Sequence, residues 1–358
     1  MRLPRTLRIG TVSFAALVAL AAGGAAAGPV PPPSVEQMVG QLLFVPMHGT
    51  VPGKYFLARI RNGQIGGVIL YRNNYGPAGP EALISQLQRA ALQAGKPRLL
   101  IGIDQEGGIV KRLAGAPTIA PSQMTTAATA QAQGQATARS LRGYGIEVDF
   151  APVLDIGHGG FITSRTFGST PSLVATRAGA FAQGLSIGGV VATGKHFPGL
   201  GYASTNTDNT RTLVHATAAQ LNADLLPYRR AIRNGLKMVM VSTAAYPSLG
   251  VNVPAACSST VVTKMLRQQL GFHGVVVTDA LDTADVGAYW PTPQAAVRAI
   301  AAGVDMVLAG GGTGRASSDT SIASYNALVN AVKTGTLSRQ TVAAAYARVL
   351  ALKRTLSY

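Results

Sequence analysis

The residues whose types and spacing could do chemistry are polar groups that break off short apolar runs. Asp104, followed by Gln105 and Glu106, ends Leu99–Ile103, and Asp155 comes just after Glu147–Pro152. Lys195 and His196 follow Val190–Thr193 and precede Phe197-Pro198-Gly199, Ser242 closes Met238–Ser242, and Asp279 ends Val275-Val276-Val277-Thr278. A carboxylate on a rigid strand end can be held against an electrophilic carbon, and of all the carboxylates Asp279 is the best placed for such covalent work. Adjacent donors such as Lys195 and His196 suit the binding of hydroxyl groups. Two readings stand for Asp104: a carboxylate holding ligand hydroxyls, or a group that caps the helix expected to follow it or satisfies loop amides. His196 alone would read as a core hydrogen-bonding residue, but a lysine beside it in the same apolar setting makes packing a poor explanation. Asp282 and Asp285 read as solvated or capping groups with no catalytic part.

These groups must be positioned by the elements around them. Short β-rich runs alternate with longer amphipathic, Ala/Leu-rich segments, the pattern of a parallel α/β protein. Strands are expected at Gln41–Val45, Gly67–Tyr71, Leu99–Ile103, Glu147–Pro152, Val190–Thr193, Met238–Ser242, Gly274–Thr278 and Asp305–Leu308. Helices are expected between nearly all of them, including Ala218–Gly235, capped by Thr217, and Ser258–Leu270, with Ser338–Ser357 closing the wall. Gly235, Gly271 and Gly303 sit where left-handed helix ends belong. About eight βα units favour a closed (β/α)8 TIM barrel, an α/β fold in one domain, over an open sheet. In such a barrel the loops after the strands converge on one mouth, so the polar groups named above should gather there.

Composition narrows the classes. The chain has 358 residues, 47% of them hydrophobic and only 13% charged, which excludes a disordered charged chain and supplies a large core. Arg2, Arg5 and Arg8 precede the apolar run Thr11–Ala22 and then Ala25-Ala26-Ala27, a signal-peptide pattern over residues 1–27 with cleavage expected after Ala27. The expectation is therefore a secreted, periplasmic or cell-envelope protein with no membrane span in the mature chain. A Pro-rich spacer over 28–34 leads into a barrel domain over 35–358. The single cysteine, Cys257, cannot form an internal disulfide and is expected to be buried. The net charge of +17 contains no basic run with interleaved aromatics, which argues against nucleic acid; for an exported protein it suits an anionic cell-envelope polymer as counterpart, and solubility alone explains it equally well. The five histidines show no paired ligand spacing, so no metal is expected. Gly107-Gly108 and Gly310-Gly311-Gly312 complete no nucleotide-binding pattern and read as tight βα turns, and no cofactor is expected.

The strings IGIDQEGG (Ile101–Gly108), DFAPVLDI (Asp149–Ile156), SRTFGS (Ser164–Ser169), GKHFPG (Gly194–Gly199) and GFHGVVVTDAL (Gly271–Leu281) resemble glycoside hydrolase family 3 in sequence, order and spacing. The resemblance runs from about Val35 to Gly311 and is nearest to the single-domain β-N-acetylhexosaminidase branch. It implies that Asp279 is the nucleophile of a retaining mechanism, and that Asp104, Arg165, Lys195 and His196 bind the hydroxyls of the terminal sugar. The implied substrate is a carbohydrate with terminal β-linked N-acetylglucosamine, derived from cell wall or chitin. Alternatives are a β-glucosidase or β-xylosidase on the same barrel, or a glycan-binding barrel without turnover. One segment departs from the branch. There the loop after KHFPG carries GHG and then D-S-H, whose Asp and His form the acid/base dyad. Here it reads Gly199-Leu200-Gly201 and later Thr207-Asp208-Asn209-Thr210, so Asp208 matches the Asp while Thr210 stands where the His would be. Asp208 is thus the candidate acid/base, alongside two alternatives: a reaction that needs little acid assistance, with a good leaving group or phosphate as acceptor, or lost turnover. Ile109 likewise replaces an Arg common after EGG.

Overall fold

The computed structural model describes residues 32–310 and 318–356. The signal peptide expected at 1–27, the start of the spacer, and Gly311-Gly312 lie outside the described residues. Eight parallel strands form the barrel: β1 Leu43–Pro46, β2 Gly67–Leu70, β3 Leu100–Ile103, β4 Val148–Asp149, β5 Val191–Phe197, β6 Met238–Val241, β7 Val275–Thr278 and β8 Val307–Leu308. β1 to β7 pair successively in chain order, and β8 pairs with β1 through Leu43↔Val307 and Phe44↔Leu308. A parallel bridge Val277↔Met306, with the Thr278 N–H donating to the Met306 carbonyl at 3.1 Å, brings β7 against β8. The (β/α)8 architecture expected from the alternation is the one observed.

The strands are rich in Val, Ile, Leu and Met because helices cover their outer faces and side chains fill the interior, leaving neither face wet. Filling the interior needs large residues beside vanishing ones. Phe44 on β1 meets Phe150 just past β4 edge to face, with centroids 5.3 Å apart. They fit because β2 and β3 present glycines to them. A Cβ on Gly67 would lie 2.8 Å from the Phe44 ring, and one on Gly102 would lie 2.9 Å from the Phe150 ring.

Several elements differ from expectation for identifiable reasons. β5 does not stop at Thr193. Its neighbours on both sides continue the pairing, through a Val153↔Lys195 bridge and the register Phe197↔Val241, so Lys195 and His196 lie within the strand. The segment after Asp104 is not a loop leading to a helix. Gln105–Gly107 and Val110–Lys111 form an antiparallel hairpin, turning at Gly108-Ile109 with φ of +95° at Gly107 and +60° at Gly108, angles only glycine takes readily. This removes the helix-cap reading of Asp104 and corrects the βα-turn reading of Gly107-Gly108. The single helix expected at Ala218–Gly235 is two, Ala218–Asp224 and Leu226–Arg233, separated just before Pro227, whose missing N–H suits a helix start. Gln41 ends a capped helix, Val35–Gln41, rather than opening β1. Cys257 is half-buried, its thiol pushed up to about 12 by burial. No helix among the described residues is long and apolar enough to cross a membrane.

Candidate active site

The C-terminal ends of the strands open into a cavity of about 320 Å³. Asp104, Arg165, Lys195, His196, Asp208 and Asp279 all line it, so the six residues drawn from separate parts of the sequence share one space.

Lys195 is the hub. From inside β5 its buried Nζ lies 2.7 Å from Asp104 Oδ1, just past β3, and 2.7 Å from Glu106 Oε1 in the hairpin. Glu106 also accepts a forked pair of hydrogen bonds from Arg165, Nε at 2.9 Å and Nη2 at 2.6 Å, the geometry that makes guanidinium–carboxylate pairs strong. Burial works to raise the Glu106 pKa, but Arg165 and Lys195 outweigh it and hold the carboxyl at about 2. Burial works to lower the Lys195 pKa in turn, and Asp104 and Glu106 raise it instead, so the ammonium stays charged. Gln105 pins the hairpin that carries Glu106: its N–H donates to Asp149 Oδ1 at 3.0 Å, its Oε1 accepts from the Arg112 and Leu113 amides, and its Nε2 donates to the Leu113 and Ala116 carbonyls.

His196 is oriented from behind. Its Nδ1 lies 2.7 Å from Asp155 Oδ2, while Asp155 Oδ1 accepts from the Leu200 amide at 2.7 Å. In the tautomer protonated on Nδ1, the ring donates to Asp155 and leaves Nε2 as an acceptor for Arg165 Nη2 at 3.5 Å. Asp279 sits at the end of β7, its amide donating to the Val241 carbonyl at 2.8 Å and its Oδ1 accepting from the Ala280 amide at 2.8 Å. Asp208 stands on the long loop after β5 in a turn made with Asn206, whose Oδ1 accepts the Asp208 amide at 3.0 Å. Burial first, and the negative charge of Asp279 second, push the Asp208 carboxyl up to about 6.

Not every polar group flagged in the sequence reaches the cavity. Ser242 is buried below it and accepts from the Ala244 amide at 3.0 Å. Asp155 acts on the cavity through His196. Asp285, read as solvated or capping, is instead fully buried and accepts from the Thr212 amide. The structure adds Tyr71, Phe161, Asn206 and Arg112 to the wall, Arg112 lying 3.8 Å from Asp104. Arg112 was reachable from the sequence: two glycines followed by β-branched Ile109-Val110 signal a hairpin, which would have folded Arg112 back beside Asp104. Among the described residues, no group of three or more His, Cys, Asp or Glu side chains is disposed to hold a metal.

The arrangement resists change at its centre. Lys195→Met would leave Asp104 and Glu106 facing each other with only guanidinium compensation, a broken buried network that costs about 3–5 kcal/mol. The sign with pH follows from Glu106, whose lowered folded pKa of about 2 stabilises the fold above its unfolded value and ceases to do so as pH falls toward 2. Denaturant unfolding should therefore show the variant's deficit in full at pH 7 and much reduced near pH 3; an equal deficit at both would contradict this account.

Asp104, Asp208 and Asp279 line the cavity together with Arg112, Arg165 and Lys195, so neither sign of charge dominates. Such a pocket, dense in donors and acceptors but electrically balanced, suits a neutral polyhydroxylated ligand. Set at the mouth of a (β/α)8 barrel, it defines a carbohydrate-active hydrolase. The chain belongs to glycoside hydrolase family 3: the glycosyl hydrolase family 3 N-terminal domain matches residues 34–352. It is 34% identical to a secreted glycosyl hydrolase of Arthroderma benhamiae over 97% of this chain and 99% of that one. It is 35% identical to a β-hexosaminidase of Chromobacterium violaceum over 70% of this chain and 73% of that one. Among solved structures it is similar to the β-N-acetylhexosaminidase of Beutenbergia cavernae (33% identity, TM-score 0.79), covering 90% of this chain and 99% of that one. It also matches the family 3 β-N-acetylglucosaminidase of a Paenibacillus species (32% identity, TM-score 0.85) over 90% of this chain, spanning 63% of that longer protein. The chain is a glycoside hydrolase acting on O-glycosyl bonds.

Proposed function

We propose that this is an exported, retaining β-N-acetylhexosaminidase that releases terminal β-linked N-acetylglucosamine from cell-wall or chitin-derived sugars. Asp104, Arg165, Lys195 and His196 hold the hydroxyls of the terminal sugar. Asp279 attacks the anomeric carbon as Asp208 protonates the departing oxygen, so the C–O bond to the aglycone breaks while a bond to the Asp279 carboxylate forms. Water then attacks the same carbon; Asp208, now ionised, takes its proton, and the Asp279 ester breaks. The observation that carries this reading is the cavity itself, which Asp208, its carboxyl pushed up to about 6, and Asp279 line together with Asp104, Arg165, Lys195 and His196. The secreted relative supports export, as does the pattern of residues 1–27. A spacer over 28–34 then precedes the barrel domain, and the charge of +17 suits residence near an anionic envelope polymer.

The test is turnover of aryl β-glycosides with the product anomer followed by NMR. The expected result is β-N-acetylglucosamine as the first product, with kcat/KM at least about tenfold above that for the glucoside and xyloside. A first product of α configuration would refute the retaining mechanism. Saccharide binding without turnover of any activated β-glycoside would refute the enzyme reading and favour a glycan-binding barrel.

A further inference from the structure

The loop carrying Asp208 has little to hold it. From Ser204 to Arg211 it is Ser, Thr, Asn, Asp and Arg, and between Ala203 and Val214 only Thr207 and Thr212 are buried. Both are tied to one residue. Asp285, six positions beyond Asp279 and fully buried, accepts the Thr212 N–H on Oδ1 at 2.7 Å, while its own N–H donates to the Thr207 carbonyl at 3.2 Å. The adjacent Ala284 N–H donates to the carbonyl of Asp208 itself at 3.2 Å. Within the loop, Thr205 Oγ1 meets Thr212 Oγ1 at 3.1 Å and Thr212 Oγ1 donates to the Thr210 carbonyl at 3.1 Å, so a restraint at Thr212 is passed along the segment.

The second carboxylate oxygen of Asp285 is buried as well, with the buried Thr243 hydroxyl as its side-chain neighbour. Burying an acid costs stability even when its oxygens find partners, and a valine or leucine would fill the space more cheaply. What an apolar residue could not do is accept the Thr212 N–H. We propose that Asp285 is a positioning residue: it clamps the Asp208 loop to the segment that follows Asp279, and so sets the distance between the proton donor and the nucleophile. This inference rests on Asp208 being the acid/base. Asp285 is not among the residues lining the cavity, so it does not touch the substrate itself.

The test compares kcat/KM, which reports the step that breaks the glycosidic bond, on two aryl N-acetyl-β-glucosaminides. A methoxyphenyl aglycone needs protonation to leave; a dinitrophenyl aglycone does not. Asp285→Ala is expected to lose roughly tenfold to a hundredfold on the methoxyphenyl glycoside, part of the ~10²–10⁴ that a general acid contributes, and less than about threefold on the dinitrophenyl glycoside. Asp285→Asn keeps an acceptor oxygen for Thr212 and should stay within about threefold of the wild type on both. Equal losses on the two substrates, or no loss, would overturn the proposal. Should Asp285→Ala fail to fold, Thr212→Pro removes the same hydrogen bond from the loop side and is read by the same criterion. Asp208→Asn is the control for the underlying reading. If it too slows both glycosides equally, Asp208 is not the acid; if it discriminates and Asp285→Ala does not, only the positioning role falls.

Discussion

Asp279→Asn is expected to lower kcat/KM on an aryl N-acetyl-β-glucosaminide by on the order of 10⁴-fold or more, while the protein unfolds at nearly the wild-type temperature. The two halves of this expectation have separate causes. The asparagine oxygen can still accept the Ala280 amide that Asp279 Oδ1 accepts at 2.8 Å, so the strand end keeps its local geometry. An amide, however, carries no negative charge with which to form and stabilise a glycosyl ester. Incubating the wild type with an activated N-acetylglucosaminide fluorinated at the ring carbon next to the ring oxygen slows breakdown of the ester, and digestion followed by mass spectrometry should find the label on Asp279. Label on another carboxylate, or wild-type rates in Asp279→Asn, would remove the nucleophile assignment.

The second large effect is expected at Asp208, and it depends on the leaving group. Asp208→Asn should lose ~10²–10⁴-fold in kcat/KM on a methoxyphenyl glycoside and less than about tenfold on a dinitrophenyl one, because only the former departs as a strong base. With the dinitrophenyl substrate, kcat falls instead, since no base activates water against the ester. Added azide, which needs no deprotonation, should restore kcat and yield the β-glycosyl azide. The pH profile gives an independent check. Burial, and then the charge of Asp279, push the Asp208 carboxyl up to about 6, so it is protonated and able to donate below that pH and loses the proton above it. Wild-type kcat/KM on the methoxyphenyl glycoside should therefore fall as pH rises through about 6, and Asp208→Asn should lose this alkaline limb. If azide has no effect and the limb persists in the variant, the donor is another group.

The position of Asp208 also explains how this loop can work with Thr210 where the relatives' branch carries a histidine. A carboxylate that lies in a partly buried turn beside a second carboxylate is weakened as an acid, toward the range in which it can hold a proton near neutral pH. Burial does most of this and the charge of Asp279 adds to it, and on the proposed reading the same placement lets Asp208 reach the departing oxygen.

Much of this was legible in the sequence because it is local. The alternation of β-rich and amphipathic segments reports a parallel α/β chain, since strands covered on both faces must be apolar throughout, and the convergence of the loops after the strands on one mouth singles out Asp104, Lys195, His196 and Asp279. Asp208 and Arg165 were legible only through the resemblance, because neither ends a strand. What failed was whatever depended on partners distant in sequence. β5 runs on through His196 because its neighbours on both sides pair with it there. Asp285 looked like a solvated acid because nothing near it in the chain reveals that Thr212, 73 positions earlier, will present its N–H to it. Periodicity and residue type, set by the covalent chain and its solvent preference, determined the barrel and placed Asp104, Lys195, His196 and Asp279 at its rim. Tertiary structure alone decided which carboxylates are paired, buried or tuned, because charge and hydrogen-bond energies depend on distance and burial, and these arise only when the eight strands close.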